Sequence, residues 1–129
     1  MQGLLIGISN ALTGQGGVVD PFPTEVIVNG DFATNSDWQL VNGAFIASNQ
    51  LTMPDTSNAR QVGTVPVNTQ AKLLFEGTGN VRYRLGPGEA YIDITLPFTD
   101  IVTTPATAFI QFLNQSGLDV ILTKVSVKI

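Results

Sequence analysis

The stretch Val26-Ile-Val-Asn-Gly-Asp-Phe-Ala-Thr-Asn-Ser-Asp-Trp38 decides how this chain is read. A short apolar strand runs into Asn29-Gly30-Asp31, where a glycine beside Asn and Asp is expected to supply the positive φ of a tight turn. Phe32 follows. A polar loop, Thr34-Asn-Ser-Asp37, then carries the chain to Trp38, its single tryptophan. A lone Trp near a strand start packs inward far more often than it meets a ligand, so Phe32 and Trp38 are expected to be core anchors closing one end of a β-sandwich.

Outward from this stretch the pattern stays β. Segments rich in Val, Ile, Phe and Thr are short and punctuated by Gly, Pro and Asn, as in a sandwich or barrel. Strands are predicted over residues 25–28, 39–46 with a kink at Gly43, 50–53, 60–65, 71–76, 81–85, 90–98, 107–113 and 119–129. In Val81-Arg-Tyr-Arg-Leu85 the apolar residues share one face and Arg82 and Arg84 the other. Ala90, Ile92, Ile94, Leu96 and Phe98 alternate with Tyr91, Asp93 and Thr95, and Pro97 places that end at a sheet edge or bulge. Ile121, Val125, Val127 and Ile129 are assigned to one face of the last strand.

Residues 1–24 read differently. No charged side chain occurs in residues 1–19, and Leu4, Leu5, Ile6, Ile8 and Leu12 are interrupted by Gly3, Gly7 and Ser9. The run is too short and glycine-broken for a signal peptide and has no Lys or Arg before it. A helix over residues 4–12 would be weak, since each interior Gly costs about 1 kcal/mol against Ala. Gly14-Gln-Gly-Gly17 reads as a joint and Asp20-Pro-Phe-Pro23 as a stiffener. An apolar, uncharged arm needs a surface to bury against. Its own domain could supply one as an edge strand; a second copy or a different protein is the preferred partner, with Leu4, Leu5, Ile6, Ile8, Leu12, Val18 and Val19 as the contact residues.

Composition narrows function. Charged residues are 12% of the chain, about half the usual share, so the surface must be built from Thr, Asn, Gln, Ser and Gly. Such a surface suits a durable extracellular or virion protein, or one that buries itself against neighbours. The net charge of −4, without a basic cluster, argues against nucleic acid as a partner. No apolar run reaches the roughly 20 residues of a membrane-spanning helix. With no Cys and no His, neither a zinc site nor a Ser-His-Asp triad can be assembled. Nearly all ten acids fall in turns or at strand ends, unlike the facing pair of a glycosidase. No enzymatic activity and no cofactor are expected.

Val28-Asn-Gly-Asp-Phe32 followed by Trp38 resembles the opening of the jelly-roll carbohydrate-binding modules of families four and nine. Many bacteriophage virion proteins carry modules with the same opening. That family closes on a strand written like Leu-Asp-Asn-Val-Ser-Val; here the close is Val120-Ile-Leu-Thr-Lys-Val-Ser-Val-Lys-Ile129. The resemblance covers about residues 25–129. It implies a jelly roll, and two family properties can be weighed on it. Members often hold a structural Ca²⁺ with oxygens from the first turn and an Asp of the last strand. Asp31 could match the first, but Thr123-Lys124 replaces the second with a repulsive cation, so no metal is expected. Sugar binding needs exposed aromatic faces flanked by polar side chains. Tyr83 should point inward, leaving Tyr91 as the candidate platform, with Arg82 and Arg84 adding hydrogen bonds.

The expectation is therefore an all-β chain: a two-layer antiparallel jelly-roll β-sandwich over residues 25–129, preceded by an apolar N-terminal arm and linker over 1–24. The expected function is that of a non-enzymatic bacteriophage structural protein on the virion, foremost a cement (decoration) protein bound to the major capsid protein or another virion protein. Small jelly rolls on capsids are commonly trimers, so a homotrimer is favoured. The alternative is a carbohydrate-binding module, or a tail or head-fibre component, that binds host glycans.

Overall fold

The computed structural model describes residues 19–129. Among these there are ten strands and no helix. They are β1 (Gln39–Val41), β2 (Phe45–Ala47), β3 (Gln50–Met53), β4 (Asn58–Val62), β5 (Gln70–Thr78), β6 (Asn80–Arg84), β7 (Ile92–Thr95), β8 (Phe98–Thr103), β9 (Phe109–Leu113) and β10 (Val120–Lys128). They form two five-stranded antiparallel sheets, ordered β1-β4-β9-β6-β7 and β2-β3-β10-β5-β8. The expected two-layer antiparallel jelly-roll sandwich is observed. The six expected arm contacts Leu4, Leu5, Ile6, Ile8, Leu12 and Val18 lie outside the described residues.

The sheets face each other through the inward side of each strand. Leu51, Met53, Leu73, Phe75, Leu122, Val125 and Val127 of the second sheet meet Ala59, Val81, Tyr83, Ile110 and Phe112 of the first. Aromatic edges tie the layers together: the ring of Phe75 lies 4.9 Å from that of Phe112 and 5.3 Å from that of Tyr83, centroid to centroid. Full burial of one such side chain stabilises the fold by about 1.5–3 kcal/mol. Tyr83 points inward, as alternation with Arg82 and Arg84 requires.

The opening stretch closes one end of this core. Trp38 is 8% exposed, and its ring lies 5.7 Å from Phe32 and 6.3 Å from Phe112. Its indole N–H donates to the carbonyl of Asn29 at 3.1 Å. The amide of Asn29 donates to the carbonyls of Thr34 and Ser36 at 2.7 and 2.9 Å, so one side chain shapes the whole loop. The positive φ expected at Gly30 falls instead on Asn29 (+53°) and Phe32 (+56°). Glycine is required at 30 for a different reason: a Cβ there would run into the backbone carbonyl oxygen of Val125. The Val125 N–H donates to the Gly30 carbonyl at 2.7 Å, which fixes that close approach.

Several predicted strands end or divide where the chain changes sheets. The segment 39–46 is two strands in different sheets, because Asn42 (φ +60°) and Gly43 (φ +93°) turn the chain over. The segment 90–98 breaks at Leu96-Pro97 into β7 of one sheet and β8 of the other, and Ile92 is exposed rather than inward. The predicted strand 60–65 shifts back to β4, starting at Asn58, and 107–113 contracts to β9, because residues 63–65 and 107–108 turn between sheets. Residues 25–28 form only a bridge, Glu25 to Lys128, supported by Val26 N–H to the Val127 carbonyl at 2.9 Å. In β10 a bulge at Thr123 shifts the register between Leu122 and Lys124. The inward face is therefore Val120, Leu122, Val125 and Val127, and Ile121 turns out of it. Opposite the bulge, Gly77 sits at φ +150°, where a Cβ would strike the Ile121 carbonyl.

Candidate functional site

Register across the first sheet aligns its outward side chains into rows. Gln39 lies opposite Arg60, Arg60 opposite Gln111, and Gln111 opposite Arg84. Extending the β6–β7 pairing one step places Tyr91 beside Arg84. The next row runs Val41, Asn58, Leu113, Arg82, Asp93. The outer face of this sheet thus carries every arginine of the chain.

The guanidinium groups of Arg60 and Arg84 are held by neutral partners. Arg60 donates from Nε and Nη2 to the Gln39 side-chain oxygen at 3.0 and 2.7 Å. Arg84 donates from Nε to the Gln111 side-chain oxygen at 3.0 Å and from Nη1 to the Pro87 carbonyl at 3.2 Å. Both lie 5.6 Å from the centre of the buried Phe109 ring, and Arg84 also stacks on Tyr91 at 4.6 Å. Arg82 differs: its Nε meets Asp93 at 2.7 Å and its Nη1 meets Gln115 at 2.7 Å. Among the described residues that is the one ion pair within 4.0 Å.

Beside Arg82 opens a cleft of about 390 Å³ lined by Asn80, Arg82, Asp93, Thr95, Gln115 and Ser116. The side chains of these residues are donors and acceptors suited to hydroxyl recognition. The three residues singled out in the sequence, Tyr91, Arg82 and Arg84, therefore share one face, although Tyr91 has a guanidinium on its ring. Arg60, Gln39, Gln111, Phe109 and Gln115 were missed. Period-2 parity with Asn58 and Val62 puts Arg60 outward, but its meeting with Arg84 depends on β9 lying between β4 and β6.

The opposite outer face carries every lysine. Lys72, Lys124 and Lys128 surround Phe22, which is buried against Leu74 and Ser126 on the outside of the second sheet. The N–H of Phe22 donates to Asp20 at 2.9 Å. Val19, at the start of the described residues, is 86% exposed. Glu25 clips the following segment down: its carboxylate accepts from the Ser126 hydroxyl and from the N–H groups of Val127 (2.9 Å) and Ile27 (3.1 Å). A hollow of about 190 Å³ lies between Glu25, Gly30, Asp31 and Lys124, and the lysine lining it would repel a cation. No group of three or more His, Cys, Asp or Glu able to hold a metal occurs among the described residues. No helix among them is long and apolar enough to cross a membrane.

No protein-family model matches the chain, and no curated protein matches it. Among solved structures, the chain is similar to the crystal structure of TT1209 from Thermus thermophilus, at 15% identity and a TM-score of 0.41. That similarity covers 81% of this chain and 98% of the other.

Proposed function

We propose that the chain is a non-enzymatic structural protein of a bacteriophage virion, a cement protein that binds the assembled capsid and stabilises it. The observation that carries this reading is how the chain enters the domain. Phe22 is pinned to the outside of the second sheet and Val19 faces solvent. Everything before Val19 is uncharged and rich in Leu and Ile. A segment of that composition, joined to the sandwich at an exposed Val19, suits burial on the major capsid protein, another virion protein or a second copy, with a trimer favoured. The low overall charge and the resemblance to modules of phage virion proteins support the same reading.

The experiment compares the full chain with one lacking residues 2–18. The shortened protein should keep its thermal midpoint and lose co-sedimentation with capsids and self-association. Unchanged mass in solution together with unchanged capsid binding would refute the reading.

A second reading is supported by Arg82 lining the cleft while Arg84 and Tyr91 stack on each other in the adjoining row of the same face. Here the sandwich is a glycan-binding module, alone or in a tail or head fibre. Binding of host-surface glycans that Arg82→Ala abolishes would favour it.

A further inference from the structure

We infer that the arginine face of the first sheet binds a carboxylate-bearing glycan, a polymer of uronate sugars. This rests on the second reading, that the sandwich has a glycan-binding face, and names the ligand class that face selects.

The first argument is uncompensated charge. Asp93 neutralises Arg82, but neither Arg60 nor Arg84 has a carboxylate within 4.0 Å among the described residues. Both are fixed by amide and carbonyl oxygens and aromatic rings, which orient a guanidinium without cancelling its charge. A guanidinium has five N–H donors, and each of these two uses only two here, so donors remain in the fork geometry that matches a carboxylate. The chain as a whole is acidic at −4, so a positive face is a local feature against the overall balance.

The second argument is shape. Gln39, Arg60, Gln111, Arg84 and Tyr91 form a stripe running across the strands. At about 4.8 Å per strand gap, four gaps give a stripe of about 19 Å. That is the footprint of an extended polymer and not of a single small anion. The ring of Tyr91 already carries Arg84, so it offers less to a neutral pyranose that binds by stacking. The other large ring at this face, Phe109 of the adjoining row, is buried beneath the guanidinium groups of Arg60 and Arg84. An acidic protein would be expected to find an apolar anchor at the centre of its interface. Exposed Val41 and Val62 lie in neighbouring rows instead.

The test is affinity electrophoresis and calorimetric titration of the full chain with polygalacturonate, with dextran as a neutral glucan and polyglutamate as an acidic polypeptide. The expected result is binding to polygalacturonate alone, weakened at least tenfold between 50 and 500 mM salt. Arg60→Gln with Arg84→Gln should lose at least tenfold in affinity at an unchanged thermal midpoint. Lys72→Gln with Lys124→Gln, on the opposite face, should bind as the parent does. If the double arginine variant does not fold, Arg84→Lys carries the comparison: it keeps the charge, loses the fork and should bind several-fold more weakly. Binding of dextran but not polygalacturonate would overturn the inference and leave the glycan reading standing. Equal binding of polyglutamate would overturn it in favour of an acidic protein partner. No binding to any of the three would overturn the inference and count against a glycan-binding face.

Discussion

Single residues hold the opening stretch in place through distinct effects. Trp38 acts by burial, so Trp38→Ala should destabilise the fold by about 3–5 kcal/mol, the range for deleting a large buried aromatic. Urea unfolding with an unchanged slope would measure it. Gly30 acts by absence: Gly30→Ala puts a methyl into the Val125 carbonyl, and overpacking of that kind costs about 1–3 kcal/mol or more where backbone must move. The same unfolding series would read it. Tyr83 acts through its proton. Burial, and then the negative charge of Asp100, raises its phenol above the usual 10.0. Its folded value therefore exceeds its unfolded one, and its contribution is complete below pH about 10 and lost as pH climbs through the folded value. The parent should lose stability more steeply than Tyr83→Phe above pH about 10, and the two should run parallel below it. At this scale the sequence was informative where one side chain decides the outcome, as at Phe32, Trp38 and Tyr83. It misled at Gly30, whose role comes from a strand nearly a hundred residues away.

Elements were legible as stretches and not as boundaries. Period-2 alternation is local, so Gln50–Met53 and the two faces of β6 follow from it directly. Sheet switching is not local: the kink at Gly43 and the break at Pro97 are visible in the sequence, but that each transfers the chain to the other layer is decided by packing. The bulge at Thr123 had no signal of its own, and it changes the inward residues before it from Ile121 to Val120 and Leu122, while Val125 and Val127 face inward as expected. Residues 24–28 are the element most dependent on one side chain. Glu25 accepts three hydrogen bonds that join this segment to β10 and to itself. Glu25→Ala should leave the core intact and loosen only this seam. Hydrogen exchange should quicken at the N–H groups of Val26, Val127 and Ile129 and stay unchanged at β9; exchange that quickened everywhere would mean Glu25 supports the whole fold.

The whole molecule presents two unlike outer faces, arginines on one sheet and lysines around Phe22 on the other. Nothing in the spacing of six cations along the chain foretells that division, which is set by strand order. The candidate face was half legible: Tyr91, Arg82 and Arg84 are neighbours through a hairpin, whereas Arg60, Gln39 and Gln111 join them only across non-consecutive strands. The two proposed tasks differ in salt dependence. Contact through the uncharged segment before Val19 should be little affected by salt, while binding at the arginine face should be screened.

A cement protein that binds only the assembled lattice favours it by about 2.7 kcal/mol per site at a hundredfold excess over its Kd. Several sites per oligomer multiply the effect through effective concentration. The most direct measurement is the temperature at which capsids release their DNA, compared for particles stripped of this protein, for particles rebuilt with the full chain, and for particles given the chain lacking residues 2–18. The account predicts release at lower temperature from stripped particles, restored by the full chain and not by the shortened one. Equal release temperatures in all three would contradict it. Should the stripped particles then fail to adsorb to cells, a glycan-binding role would take the place of the cement role.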